Sequence, residues 1–419
     1  MAAKTIHRRP FTRFLLWLGG MLGMYFLITA ILSLTVDPWR INNSPLGIDS
    51  FDPYREISET VRTGKAALAN KGDWEVVIIG SSRMEIAFDP AHPAFHRKRC
   101  VNLAMAAATL TETVPVAHYA LDRNPEIRTI LFGIELGDLH NNSDSRKFTD
   151  FYNSPFSDNN RSIERTINQV IGGRSLANSI ATIRNRSAGV VPKRNQSGLW
   201  IQPAYPPDLR AYVENAFALG HKEAANNWNL RPQDLRSEKV ESLNRLIDRV
   251  REAGIDLHLV IPAQHALKMI HPTEDEPATM PWEADLLELV RICKEANAKP
   301  SKAPPVKLWN FFLFNEYTCA QIPKVDAENR RLSDWTDFSH AKTSIGNLAI
   351  DVIFSGDSAK DNTHGEIGRN LLLGDWEKHQ SSWIEAHREY CISGKKDVEW
   401  WRGLLSASED DHYSLKINQ

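Results

Sequence analysis

Cysteine is scarce in this chain, with four in 419 residues, which excludes a small disulfide-stapled scaffold. The four stand at 100, 293, 319 and 391 without a Cys-x-x-Cys pair, and the histidines show neither His-Glu-x-x-His nor another paired ligand spacing. No metal site is predicted. A phosphate-binding loop is missing too, because Gly172-Gly173 is not followed by Lys-Ser or Lys-Thr. Nothing therefore calls for a cofactor. Neither sign of charge prevails: 50 Lys+Arg stand against 52 Asp+Glu, a balance that argues against a nucleic-acid binder. Proline and glycine, 22 of each, are too few for a collagen-like or low-complexity polymer. There is no internal repeat, and beyond residue 36 no apolar run is long enough to span a bilayer.

What is present begins with such a run. Phe14 to Val36 carries no charge. At about 1.5 Å per residue a helix over it is roughly 34 Å long, enough for a hydrocarbon core of about 30 Å. A cleaved signal peptide would have a shorter apolar region followed by small residues; here Thr35-Val36-Asp37-Pro38-Trp39 follows instead. The reading is an uncleaved anchor over 14–36. Lys4, Arg8, Arg9 and Arg13 precede it and Asp37 is the first acid after it. The positive-inside rule then predicts a cytoplasmic N-terminus and an exported remainder, with Trp39 at the outer interface.

The remainder alternates strand and helix patterns. Val76-Val77-Ile78-Ile79, closed by Gly80, is a β-branched run suited to a strand buried on both faces. Further strands are predicted at 100–105, 128–134, 255–261 and 306–312, and helices at 109–122, 233–253, 282–296 and 341–354. In the helix over 233–253, Val240, Leu243, Ile247 and Val250 share a face and Gly254 is the stop. Alternation of this kind implies parallel βαβ units, so the predicted fold is α/β: a three-layer α/β/α sandwich around a parallel sheet of about five strands, plus the N-terminal transmembrane helix. Residues 140–232 break the rhythm and read as an insertion over the sheet edge, either a lid or glycan-contacting surface or a long solvated segment with a packing role, with a helix over 162–184 interrupted at Gly172-Gly173. A C-terminal helical extension over 375–419 is rich in tryptophan. Its helix over 375–392 puts Trp376, Trp383, His387 and Tyr390 near one face, for packing on the core or for resting on a membrane or partner. Cys100 falls in a predicted strand and reads as a small buried hydrophobe; a disulfide among the other three cysteines stays open.

Chemistry converges on two short segments. Gly80-Ser81-Ser82-Arg83 follows the first strand, and ligand sites in open parallel sheets form beyond the carboxyl ends of strands. Asp337-Phe338-Ser339-His340 precedes the helix over 341–354. Asp and His three residues apart on a turn can share a hydrogen bond that sets the imidazole tautomer and stabilises the imidazolium formed when His takes a serine proton. His265, after the strand ending at Ile261, is a second candidate for the base or for lining the substrate pocket.

With these segments in view, the chain resembles the SGNH (GDSL-like) hydrolase superfamily, whose nucleophile motif is Gly-Asp-Ser after the first strand and whose base motif is a C-terminal Asp-x-x-His. Gly80-Ser81-Ser82 matches the first with Ser for Asp, and Asp337 and His340 match the second. An anchor followed by Asp37-Pro38, Gly-Ser-Ser-Arg, Asn102-Leu103-Ala104 and Asp-Phe-Ser-His is similar to the membrane-anchored, exported branch that includes proteins of polysaccharide O-acetylation and lipoteichoic-acid D-alanylation. The resemblance covers roughly residues 37–355 and implies Ser82 as nucleophile, His340 as base and Asp337 as its orienter. It also implies a Gly after the second strand and an Asn after the third, both serving the oxyanion. This chain has Met105-Ala106-Ala107-Ala108 and Gly133-Ile134-Glu135-Leu136 there. The backbone N–H of Ala106 stands in for the first, Glu135 occupies the place of the second, and Arg83 and Asn102 are candidate replacement donors. The implied function is a serine esterase or O-acyltransferase acting on a polysaccharide or envelope glycan through an acyl-serine. The alternative is a non-catalytic glycan-binding or scaffold domain. The implied partners are an acyl-group donor, the polysaccharide, and a membrane acyltransferase or polysaccharide-export protein; the implied setting is the inner membrane with the bulk of the chain in the periplasm.

Overall fold

A computed structural model describes residues 9–41, 46–55, 60–141, 144–157, 162–192, 194, 196–201, 206–220, 228, 231–324, 327–355 and 366–407. Lys4 and Arg8 of the basic N-terminus, residues 408–419 of the expected C-terminal extension, and 142–143, 158–161, 193, 195, 202–205, 221–227 and 229–230 of the expected insertion lie outside the described residues. The helices are α1 (Arg9–Val36), α2 (Val61–Asn70), α3 (Ser82–Ala87), α4 (Leu110–Arg123), α5 (Ser162–Ile171), α6 (Gly173–Ala188), α7 (Leu209–Gly220), α8 (Ser237–Glu252), α9 (Glu283–Ala298), α10 (Thr343–Ser355), α11 (Trp376–Ser393) and α12 (Lys395–Ala407). The strands are β1 (Val76–Ile79), β2 (Cys100–Asn102), β3 (Thr129–Gly133), β4 (Asp256–Ile261), β5 (Lys307–Asn310) and β6 (Arg369–Asn370).

The chain divides into two compact units, one of Met1–Ala67 with Asp150–Gln196 and the other of Leu68–Thr149 with Ser197–Gln419. The division cuts through the expected insertion: 150–196 group with the N-terminal segment, whereas 197–232 group with the sheet. In the first unit, Phe11–Val36 of α1 has a mean hydropathy of 2.0 and is long and apolar enough to cross a membrane. The break expected at Gly172-Gly173 separates α5 from α6; a Cβ on Gly172 would overlap the Asn168 carbonyl. Trp39 is buried, its indole N–H donating to Thr60 Oγ1 at 2.6 Å.

The second unit is mixed α/β, with a mostly parallel sheet of six strands in the order β2-β1-β3-β4-β5-β6. Strands β1 to β5 run parallel, and β6, a strand that the apolar patterning missed, pairs antiparallel with β5. Every residue of β1 and β3 is buried, which is why these segments read as unbroken apolar runs. The chain leaves β1 to pair β2 on one side, then crosses to pair β3 on the other. That reversal opens a crevice at the carboxyl end of β1. Ile78 pairs both Asn102 and Leu131, so β2 ends one residue short of β1, and Gly80 comes level with Gly133, the last residue of β3. In α8 the buried face is Lys239, Leu243, Leu246, Ile247 and Val250; Lys239 takes the inward place expected of Val240, because its ammonium donates to the Asp138 carbonyl at 2.8 Å.

All four cysteines are free, so the open disulfide does not form. Helix α11 packs on the core, with Trp383, His387 and Tyr390 buried and Trp376 half-buried. The Trp383 indole donates to the Phe312 carbonyl at 3.2 Å.

Helix α10 docks on α3 without a spacer, because a Cβ on Gly346 would overlap the Ala87 carbonyl. Gly346→Val is expected to cost about 3 kcal/mol of stability through this overlap, measured by urea unfolding of the full chain in detergent. A loss below about 0.5 kcal/mol, the range of an ordinary surface substitution, would show that the two helices do not meet through this residue.

Candidate active site

The turn after β1 is built around glycine. Gly80 has φ +154°, and a Cβ there would meet the Met84 side chain at 2.5 Å and the Gly133 backbone at 3.2 Å. Ser81 then caps α3, its Oγ accepting from Arg83 N at 3.2 Å. Ser82 is the first residue of that helix and is half-buried.

The structure brings Ser82, His340 and Asp337 together. Ser82 Oγ lies 2.8 Å from His340 Nε2. His340 Nδ1 lies 2.8 Å from Asp337 Oδ2 and 2.9 Å from Oδ1. Burial works to raise the Asp337 carboxyl, but hydrogen bonds from the His340 ring and from the backbone N–H groups of Ser339 and His340 outweigh it and hold the carboxyl below its usual range. An ionised carboxylate only accepts, so Nδ1 carries the ring proton and Nε2 offers its lone pair to the Ser82 hydroxyl. Such an arrangement can draw a proton from Ser82 and store it on the imidazole, next to a fixed negative charge.

The loop carrying Asp337 and His340 is clamped from two sides. His265 is fully buried; its backbone N–H donates to the Phe338 carbonyl at 3.0 Å, and its ring stacks on Phe338 with centroids 4.7 Å apart. The Trp401 ring of α12 meets Phe338 with centroids 5.6 Å apart. The candidate roles for His265 as base or pocket lining are therefore corrected. Its Nδ1 accepts from Leu267 N at 3.3 Å, its Nε2 donates to the Ala320 carbonyl at 2.8 Å, and burial pushes its pKa down to about 4. Its ring is neutral and its contacts go to Phe338, Leu267 and Ala320.

Of the expected oxyanion residues, Asn102 is also corrected. Its side-chain N–H₂ donates to the carbonyls of Met84 at 2.9 Å and Phe88 at 3.0 Å, and its Oδ1 accepts from Ala104 N at 2.9 Å. Both amide hydrogens are spent holding the carboxyl end of α3, so none is left to turn outward. Arg83 forms an ion pair with Glu135, and the Ser81 hydroxyl donates to the same carboxylate. Glu135 thus stands as a neutralised anchor for the Ser82 turn, and Arg83 as its counter-charge. Ala106 lies half-buried on the loop after β2, which is fastened to the turn by Met105 N donating to the Gly80 carbonyl at 2.9 Å. The next residue, Ala107, sits at φ +56°. That left-handed conformation costs an alanine about 1–2 kcal/mol, and it is one a glycine takes freely.

Several nearby groups gave no sequence signal. Lys268, on the loop after β4, lies within electrostatic reach of both Arg83 and Asp337; burial, then Arg83, push its ammonium down to about 8 against the pull of Asp337. A polar cluster lies behind Glu135. Asp138 is buried, accepts from Leu110 N at 3.2 Å, and is raised to about 7 by burial and then by the charge of Glu135. His140 Nδ1 meets Asp285 Oδ2 at 2.6 Å. Such contacts join residues from separate elements, so no spacing in the chain marks them. Among the described residues no group of three or more His, Cys, Asp or Glu could hold a metal ion.

Set against known proteins, the chain matches no family model, and no curated protein matches it either.

The raised Asp138 carboxyl sets a pH dependence. Between the ordinary carboxylate range and about pH 7 the folded chain keeps a proton that the unfolded chain has released, so this group's contribution to stability falls as pH rises through that window. Asp138→Asn removes that dependence. The variant is expected to gain on the wild type far more at about pH 8 than at about pH 4, measured by urea unfolding at both. An equal difference at the two values would show that Asp138 ionises normally in the fold.

Proposed function

We propose that this chain is a membrane-anchored serine esterase or O-acyltransferase of SGNH type, with the sheet as the middle layer of an α/β/α sandwich and a polysaccharide or other envelope glycan as its substrate. The observation that carries the reading is the unbroken chain from Ser82 Oγ to His340 Nε2 at 2.8 Å and from His340 Nδ1 to Asp337 Oδ2 at 2.8 Å. In the proposed reaction Ser82 Oγ bonds to an acyl carbonyl carbon while His340 Nε2 takes the hydroxyl proton. The tetrahedral oxyanion collapses, the donor oxygen leaves with the proton returned from His340, and an acyl-serine remains. A sugar hydroxyl or water then gives its proton to His340 and attacks the acyl-serine; the bond to Ser82 Oγ breaks and His340 returns the proton to that oxygen, restoring the hydroxyl and the neutral imidazole.

The resemblance to the anchored, exported branch supplies the glycan, the periplasmic setting, and the acyl-donating or polysaccharide-exporting membrane partner. Two features weigh against the alternative of a non-catalytic glycan-binding domain. Arg83 neutralises the Glu135 carboxylate, which would otherwise repel an oxyanion. Ala107 takes the left-handed conformation in the loop where the resemblance calls for glycine.

The test is intact-mass spectrometry and fluorophosphonate labelling of the full chain. Wild type is expected to gain one adduct, and also an acyl group from an activated acyl ester; Ser82→Ala is expected to gain neither. Labelling that continues undiminished in Ser82→Ala would remove Ser82 from the chemistry, and a wild type that never labels would favour the binding domain. A second comparison addresses Glu135. Arg83→Ala, which leaves the carboxylate unneutralised, is expected to slow acylation by roughly 10²-fold, the scale of losing one oxyanion donor. Glu135→Gln keeps the shape without the charge and should acylate at least as fast as wild type. If both variants acylate at the wild-type rate, the pair has no electrostatic bearing on the reaction.

A further inference from the structure

The hairpin of α5 and α6 is built inside out. The buried residues of α5 are polar, Arg165 and Gln169, while Ile163 and Ile167 are 77% and 50% exposed. At 100° per residue, Ile163, Ile167, Val170 and Ile171 form one face, and Arg165 and Gln169 lie opposite it. Helix α6 repeats the pattern: its buried residues are Ser175, Asn178, Ser179 and Thr182. Ile180 is 53% exposed and lies on one flank with Leu176 and Ile183. A hairpin covered by water would have the opposite arrangement.

The buried polar side has a partner. Helices α5 and α6 both pack against α1, whose own buried residues include Thr29, Ser33 and Val36. Ser33 Oγ and Ser175 Oγ are 2.6 Å apart. A hydroxyl pair meeting between helices, with Ile163, Ile167 and Ile180 exposed on the other side, is the packing expected where the surroundings are lipid. Geometry leads to the same place. The contact lies on the last two turns of α1, about 10 Å of helix at 1.5 Å per residue. If α1 spans the membrane, whatever packs on those turns is immersed to a comparable depth. The 16 residues of α6 include three arginines, Arg174, Arg184 and Arg186, and no acid, a composition too short and too charged to span but suited to an anionic headgroup layer.

We propose that the α5–α6 hairpin is a second membrane-contacting element, with its apolar face set into the lipid leaflet at the carboxyl end of α1. The inference rests on α1 being a membrane span and is independent of the chemistry at Ser82. Its consequence is that the first unit is held to the bilayer by a patch rather than by one helix, which restricts its tilt and rotation.

The experiment places single labels on the full chain in nanodiscs of phosphatidylcholine and phosphatidylglycerol. In a Cys319→Ser background the remaining cysteines are buried, and Ile167→Cys, Ile180→Cys, Leu22→Cys and Lys294→Cys each receive an environment-sensitive fluorophore. Leu22 lies within α1 and Lys294 is a solvent-exposed reference. Labels at 167 and 180 are expected to shift to the blue and to lose most of their emission to doxyl-labelled lipid, as the label at 22 does, while the label at 294 does neither. If 22 is quenched but 167 and 180 behave like 294, the hairpin is not in lipid and the inference is overturned, whatever else covers its apolar face. If 22 is not quenched, the spanning reading itself fails and takes the inference with it.

Discussion

The hydrogen bond between Ser82 and His340 joins residues 258 positions apart in the chain, and the surrounding structure serves to hold its two ends in register. A single contact of this kind is worth about 1 kcal/mol, far less than the entropy of ordering the segments that carry it. Rigid elements have to supply the rest. On one side Gly80 and Gly133 let β1 and β3 close around Met84, and Asn102 fastens the far end of α3. On the other, His265 and Trp401 grip Phe338 between them. The two sides meet where Gly346 lets α10 lie directly on the Ala87 carbonyl. The serine and the histidine are thus presented from the ends of packed elements.

Charge near the site is arranged in layers. Asp337 faces the imidazole and is kept ionised by the donors around it. Glu135 is tied to Arg83 and Ser81 at the base of the Ser82 turn. Asp138, behind Glu135, is raised by burial and by that neighbouring charge, with Lys239 opposing the shift. The glutamate that looks out of place in the chain is thus part of a compensated cluster. Its neutralisation is what makes the proposed acyl transfer electrostatically reasonable.

The α5–α6 hairpin follows a different rule. In the sheet unit the apolar residues point inward, as water requires. In the α5–α6 hairpin the buried residues are polar, whereas Ile163, Ile167 and Ile180 are exposed. Both arrangements come from the same preference of each side chain for its medium. The contrast motivates the proposal that the hairpin shares the surroundings of α1.

Much was legible from the chain alone, for identifiable reasons. Strands buried on both faces must be apolar throughout, so Val76–Ile79 and Thr129–Gly133 were visible as runs. Helices over 233–253 and 282–296 were visible because one face of each is buried. Short motifs survive as text, so Asp337 and His340 stand out by their spacing and the Gly-Ser-Ser turn by its place after β1, while the choice of Ser82 within that turn came from the SGNH resemblance. The two-residue β6 carries no pattern, and Lys239 defeats a reading that allows only apolar residues inward. The tertiary structure alone decided which side chains share a place: that His265 is locked on Phe338, that Asn102 spends its amide on α3, that Arg83 meets Glu135, and that residues 150–196 group with α1. Periodicity and composition report how a segment partitions between water and the interior, which is a local property. Partnership depends on where separate segments are brought in space, and the linear order of residues does not carry that information in readable form.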